Sequence, residues 1–278
     1  AGSGPKGRIT KEDVQSFIKS VLSNNRSSQP GLVSVPVIDF SKWGEIESVK
    51  LSKIKRITGD RLQQAWQSIP HVTQFDEADI TELDEFRKTL KSLNQNEKVK
   101  VSFLPFLLKA VAQLLKDIPE FNASLDHTGQ NLVYKKYFHV GVAVDTQNGL
   151  VVPVIRNVDA KNFRELSEEL VTISEKARGR KLLPDDMKGG CFTISSLGGI
   201  SGTGFTPIVN PPEVAILGIS RSKISPIFRN GSFQPRMILP YSLSYDHRVI
   251  DGAQAARFTK RLNLLLENFA ELKGLGLT

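Results

Sequence analysis

The sequence predicts an α/β domain of the α+β kind, a mixed sheet flanked by helices. Two observations predict it. Apolar residues recur at helical spacing in long stretches, as in Leu83, Phe86, Leu90 and Leu93. Between such stretches lie short apolar runs bounded by turn residues, namely Cys191 to Ser195, Ala215 to Ser220 and Met237 to Ser244. These are too short for helices and read as strands.

Taken in order, Thr10 is a helix N-cap after a basic glycine loop, with Glu12 and Asp13 favourable in the first turn. Ile9, Val14, Phe17, Ile18 and Val21 share one apolar face. One short helix cannot bury its own core, so residues 1–22 read as an appendage. The polar, aperiodic stretch over residues 23–36 reads as a linker, and the main domain is expected over residues 37–278. Within it, Ser52 to Ser68 has helical spacing and His71 to Ile80 has strand character. Thr81 to Leu93 is a helix with Thr81 as its N-cap. Phe103 to Leu115 is apolar all round, as expected of a buried helix. Asn131 to Val144 and Leu150 to Ile155 read as strands joined by a hairpin turn at Gln147-Asn148-Gly149. Asn162 to Arg178 is a helix, and Ala253 to Leu272 is the last one.

Composition narrows the class. Of 278 residues, 40% are hydrophobic and 24% charged, which is ordinary for a soluble globular protein. No run approaches the roughly 20 apolar residues needed to cross a bilayer, and no signal-peptide pattern opens the chain. Cys191 is the only cysteine, so no intrachain disulfide forms. Together these fit a cytoplasmic location. The net charge of +8 is dispersed, with no dense basic tract and no interleaved aromatics, which argues against nucleic acid or a membrane surface as partner. A diffuse positive field suits phosphates or acidic partner proteins.

The candidate catalytic residue is His247, in Tyr245-Asp246-His247-Arg248-Val249-Ile250-Asp251-Gly252. An imidazole accepts protons near neutral pH. The run lies between a strand and the last helix, where a base is held on a tight turn. Asp251 either orients a side chain or fixes that turn. His71, His127 and His139 read as structural or surface groups, and no pair of histidines has a zinc-ligand spacing. No metal site is expected. The glycine-rich run Gly198-Gly199-Ile200-Ser201-Gly202-Thr203-Gly204 is neither a nucleophile elbow, because position 203 is threonine, nor a dinucleotide loop, because no helix follows. It reads as a flexible loop beside a substrate channel.

Several ordered stretches resemble one family. Asp246 to Gly252, Phe192-Thr193-Ile194-Ser195-Ser196-Leu197-Gly198, and Pro207 to Gly218 resemble segments of the acyltransferase core of 2-oxo acid dehydrogenase complexes. Ile69 to Asp76, with Asp79 to Leu83, is similar to the bacterial pyruvate dehydrogenase branch. The resemblance runs from about Val35 to the C-terminus. Residues 1–22 resemble the C-terminal half of a peripheral-subunit-binding domain. They are expected to be poorly ordered and unable to bind fully the pyruvate dehydrogenase and dihydrolipoamide dehydrogenase subunits.

The resemblance implies a chloramphenicol-acetyltransferase-like fold, a trimer, and a cage of eight trimers with cubic symmetry. It implies acetyl transfer between dihydrolipoamide and coenzyme A. Coenzyme A is then a substrate, and the lipoyl group is carried on a domain absent from this chain. A thiol is mostly protonated at neutral pH, so a base is needed, and His247 takes that role. Ser195 is implied as the hydroxyl donor to the oxyanion, although hydroxyls at strand ends also serve local backbone. The acid equivalent to Asp251 forms an ion pair with an arginine near the domain start, where this chain has Lys55, or Arg56 with a register shift. A succinyl or branched-chain acyltransferase and a non-catalytic scaffold are the alternatives. The terminal run Lys273 to Thr278 carries two leucines expected to be exposed, and hence a candidate contact between trimers.

Overall fold

The computed structural model describes residues 4, 8–16, 36–93 and 101–275. The chain forms two units, residues 1–50 and 51–278. In the first, the Thr10 and Asp13 side chains accept each other's backbone N–H at 3.3 and 2.9 Å, which opens a helix over residues 11–16. The expected apolar positions Phe17, Ile18 and Val21, and linker residues 23–35, lie outside the described residues. A turn of 3-10 helix, Phe40–Trp43, follows.

The second unit opens with α1, Lys53–Ser68, whose N-cap Ser52 accepts the Lys55 N–H. Strand β1 is His71–Asp79, and α2 is Thr81–Leu93. The start of α2 differs from expectation. Its first N–H groups are met by Asp79, which accepts both the Thr81 N–H at 3.1 Å and the Thr81 hydroxyl at 2.6 Å. The Thr81 oxygen accepts the Met237 N–H instead. An ionised carboxylate is the stronger acceptor, and Arg236 holds it in place at 2.7 Å. Helix α3, Leu104–Asp117, is buried on nearly every side, as its composition predicts.

The single strand expected over Asn131 to Val144 is three: β3 Leu132–Tyr134, β4 Val140–Val142 and β5 Val144–Thr146, each in a different sheet. The break coincides with a side chain from outside the run. The Asn122 side-chain amide takes the carbonyls of Lys135 and Tyr137, in place of ladder bonds. β3 pairs with β2, Ala123–Leu125. β5 pairs with β6, Gly149–Val151, through the expected turn, where Gly149 has φ 125°. β7, Val154–Ile155, pairs with β4. Helix α4, Phe163–Arg178, starts in a capping box between Asn162 and Glu165.

The main sheet has the order β1-β11-β9-β8-β4-β7, with β10 paired to β11. Here β8 is Phe192–Ser196, β9 is Ala215–Ile219, β10 is Lys223–Arg229 and β11 is Ser232–Asp246. β8 runs parallel to β4 and β9, and the other pairs are antiparallel. The β10–β11 hairpin is absent from the sequence prediction. Its signal is Asn230-Gly231, with φ 53° and 79°, the two positive values that a two-residue I′ turn requires.

The last helix is two: α5, Gly252–Glu267, and α6, Phe269–Gly274, separated at Asn268. Phe258 of α5 lies against Phe121 at 4.3 Å and Phe192 at 5.8 Å, which fixes the helix on one face of the sheet. Fully burying such a ring contributes roughly 2–3 kcal/mol. Leu272 is buried and Leu275 packs against the same core. Leu275 is therefore not the exposed terminal leucine expected above, and Leu277 lies outside the described residues.

The opposite face of the sheet carries small polar side chains and is crossed by residues 197–210. At Gly218 a Cβ would meet the Ser242 oxygen at 2.5 Å and the Phe205 ring at 2.8 Å. Only glycine lets that loop lie so close to the strand.

Candidate active site

His247 is the first residue beyond β11. Its N–H donates to the Pro70 carbonyl at 3.1 Å, which continues the β1–β11 register of His71 opposite Asp246. The Asp246 carboxylate fixes the turn from the other side. It accepts the Arg248 N–H at 3.0 Å and both arms of the Arg248 guanidinium, at 2.9 and 2.6 Å. The His247 side chain is exposed and tilted against the Tyr245 ring at 6.0 Å.

Asp251 is the N-cap of α5. Its carboxylate accepts the Gln254 N–H at 2.7 Å and Gln254 returns the bond to the Asp251 N–H at 3.0 Å. Of the two uses the sequence leaves open for Asp251, this geometry shows the one that fixes the turn. Among the described residues no ion pair joins Asp251 to Lys55 or Arg56.

Ser195 lies near the far end of β8. Strand alternation sends Phe192 and Ile194 to the helix-covered face, and Thr193 and Ser195 to the other. Ser195 is half-buried and Ser196 is exposed. Ser195 lies opposite Gly218, which lies opposite Ser242. His247 is five residues beyond Ser242, so within one chain the two residues are separated by roughly 17 Å along the strands and about 10 Å across them. One chain does not bring them together. Among the described residues, neither the His247 imidazole nor the Ser195 hydroxyl makes a hydrogen bond within the chain.

The other histidines are structural or exposed, as the sequence suggests. His139 accepts the Asn157 N–H at 3.0 Å, and burial holds its pKa below the usual range. His71 uses both ring nitrogens on backbone groups. His127 is exposed in a turn organised by Asp126. Cys191 is buried, its thiol donates to the Tyr137 carbonyl, and burial pushes its pKa up. Among the described residues no cluster of His, Cys, Asp and Glu is placed to hold a metal, and no helix is long and apolar enough to cross a membrane.

Glu213 is the group that sequence reasoning missed. It precedes β9 and is only 4% exposed. Its carboxylate accepts the Thr193 hydroxyl at 2.6 Å and the Asn210 amide at 3.4 Å. Burial pushes its pKa up to about 7. The signal for it is an acid placed between Pro211-Pro212 and the apolar run Val214 to Leu217.

Residues 44–273 match the family model for the 2-oxoacid dehydrogenases acyltransferase (catalytic domain). The dihydrolipoyllysine-residue acetyltransferase component of the pyruvate dehydrogenase complex from Pseudomonas aeruginosa is 52% identical over 276 residues, 97% of this chain and 50% of that protein. The same component from Azotobacter vinelandii is 53% identical, over 95% of this chain and 42% of that protein. The chain thus spans about half the length of the curated relatives it matches. A solved structure of the Azotobacter vinelandii dihydrolipoamide acetyltransferase comes from an investigation of a serine, a histidine and an asparagine in its catalytic mechanism. It matches with a TM-score of 0.85 and 54% identity, over 87% of this chain and 100% of that chain. The cubic core of a pyruvate dehydrogenase multienzyme complex matches equally well, with a TM-score of 0.85.

Proposed function

Because this chain belongs to the 2-oxoacid dehydrogenases acyltransferase family, as its catalytic domain, we propose that it transfers an acetyl group between dihydrolipoamide and coenzyme A, in the cytoplasm, within a pyruvate dehydrogenase complex. The observation that carries the reading is a pair of groups with no hydrogen-bond partner among the described residues, the His247 imidazole on its pinned turn and the Ser195 hydroxyl at a strand end. His247 takes the proton of the attacking thiol, which becomes the nucleophile as it reaches the thioester carbonyl. The carbonyl oxygen gains negative charge, and the Ser195 hydroxyl donates to it. Collapse of the tetrahedral intermediate expels the second thiolate, which recovers the proton from His247. No acyl-enzyme forms. In the Azotobacter vinelandii relative, the serine-to-histidine and histidine-to-asparagine spacings equal those from Ser195 to His247 and from His247 to Asp251.

The separation of Ser195 from His247 within one chain supports a site shared between neighbouring copies. His247 of one chain meets Ser195 of the next in a trimer, and two thiol-bearing arms reach the interface channel from opposite sides. Eight trimers then form a cubic cage, as the match to the cubic core suggests. The pyruvate dehydrogenase and dihydrolipoamide dehydrogenase subunits are the partners of the complex, and the acetyl group arrives on a lipoyl domain. The test is a thiol-to-thiol transfer assay on the purified chain, with acetyl-dihydrolipoamide, coenzyme A and a series of acyl lengths. Acetyl is expected to be preferred. Preference for succinyl or branched acyl groups, or no transfer by a folded assembly, overturns the proposal.

A further inference from the structure

The His71 imidazole joins two segments that serve different halves of the proposed site. Its Nε2 is 3.0 Å from the Val209 backbone nitrogen, and its Nδ1 is 2.9 Å from the Ile69 carbonyl oxygen. An amide N–H only donates and a carbonyl only accepts. Nε2 is therefore the acceptor for Val209, and Nδ1 carries the hydrogen that it donates to Ile69. Both nitrogens are committed, in the neutral tautomer. The Trp66 indole lies over the ring at 5.5 Å with 24° between planes. Ile69, Val209 and Ile216 form a small buried apolar cluster.

His71 thus fixes the backbone on both sides of Pro70, whose carbonyl is the acceptor for the His247 N–H. Val209 is near the end of the loop that leaves the sheet immediately after Ser195 and Ser196. The imidazole ties that loop to the turn that carries His247. Among the described residues the His247 ring has no hydrogen-bond partner of its own, so its position rests on its backbone. A displacement of about 1 Å at a reacting group costs on the order of 10²-fold in rate.

We propose that His71 is a positioning residue for acyl transfer: its neutral imidazole clamps residues 69–70 to Val209 and thereby sets where the His247 base stands. This rests on the reading of His247 as the base, and His71 itself touches no reacting atom.

The test compares His71→Ala, His71→Asn and His71→Gln in the full chain. It uses steady-state acetyl transfer together with hydrogen–deuterium exchange of peptides covering Val209 and His247. Glutamine places an oxygen near the position of Nε2 and accepts the Val209 N–H, whereas asparagine reaches only the position of Nδ1. The expected result for His71→Ala and His71→Asn is a kcat lower by roughly 10- to 100-fold, KM for both thiols nearly unchanged, and faster exchange at both peptides. His71→Gln recovers most of kcat and the protection at Val209. Normal kcat in His71→Asn overturns the proposal, as does a loss confined to KM or a His71→Gln no better than His71→Asn. Should His71→Ala fail to fold, the glutamine–asparagine pair still decides. If the parent chain transfers no acetyl group, the proposed reaction fails by itself. Exchange then judges the clamp separately, and unchanged exchange at His247 in His71→Asn refutes it.

Discussion

The Thr193 hydroxyl donates to the buried Glu213 carboxylate at 2.6 Å, which ties the end of the loop before β9 to the middle of β8. The bond supports the charged carboxylate, but burial opposes the charge more strongly and pushes the Glu213 pKa up to about 7 from 4.5. Between those values the folded chain binds more protons than the unfolded chain. Stability from this group is therefore full below pH 4.5 and falls as pH rises to about 7, by roughly 3 kcal/mol in all. Glu213→Gln keeps an acceptor for Thr193 and has no charge to bury. Thermal melts should show the variant several degrees above the parent at pH 8 and equal to it near pH 5. A gap of the same size at both pH values would mean that Glu213 does not titrate in this window.

The Asp251 carboxylate caps α5, and we propose that it serves the site by fixing the turn four residues after His247. Asparagine caps a helix about as well as aspartate, whereas alanine costs about 1 kcal/mol. Asp251→Asn should keep both stability and kcat within about twofold, and Asp251→Ala should lose both. A strong loss in Asp251→Asn with an unchanged melting temperature would show instead that the negative charge itself is used.

Ser195 is expected to act on the transition state. Ser195→Ala should lower kcat by roughly 10²–10³-fold, the size of one lost oxyanion donor, with little change in KM. Ser196 is exposed and on the alternate face of the strand, so Ser196→Ala should be milder. An effect of Ser195→Ala on KM alone would assign it to substrate binding.

Much of this arrangement is legible in the sequence because it is local. Helical periodicity finds α1, α3 and α4. The strand-to-helix turn around His247 follows from residue types alone. What is not legible depends on distant partners. Asp79 displaces Thr81 as the capping acceptor because Arg236, far along the chain, holds the carboxylate there. The run from Asn131 to Val144 breaks because Asn122 takes two of its carbonyls. His71 looks like an ordinary strand opener until Val209 is seen to donate to it. The β10–β11 hairpin is the exception, since Asn230-Gly231 is a local signal in plain view.

The separation of Ser195 from His247 leads to the most direct test of the shared site. In a trimer where each site takes His247 from one chain and Ser195 from the next, a His247→Ala chain still offers a good serine. A Ser195→Ala chain still offers a good histidine. Homotrimers of either variant should be nearly inactive, since each lacks one group at every site. Mixed trimers, formed by co-expression and purified through two different tags, contain at least one interface with both groups intact. Such mixtures should regain a substantial fraction of the parent kcat per intact site, with parent-like KM, while co-expression of His247→Ala with itself regains nothing. If both groups instead acted within one chain, no mixture would exceed the sum of its parts. The roughly 17 Å between the two residues along the strands makes recovery the expected outcome, and its absence would remove the trimeric site from the mechanism.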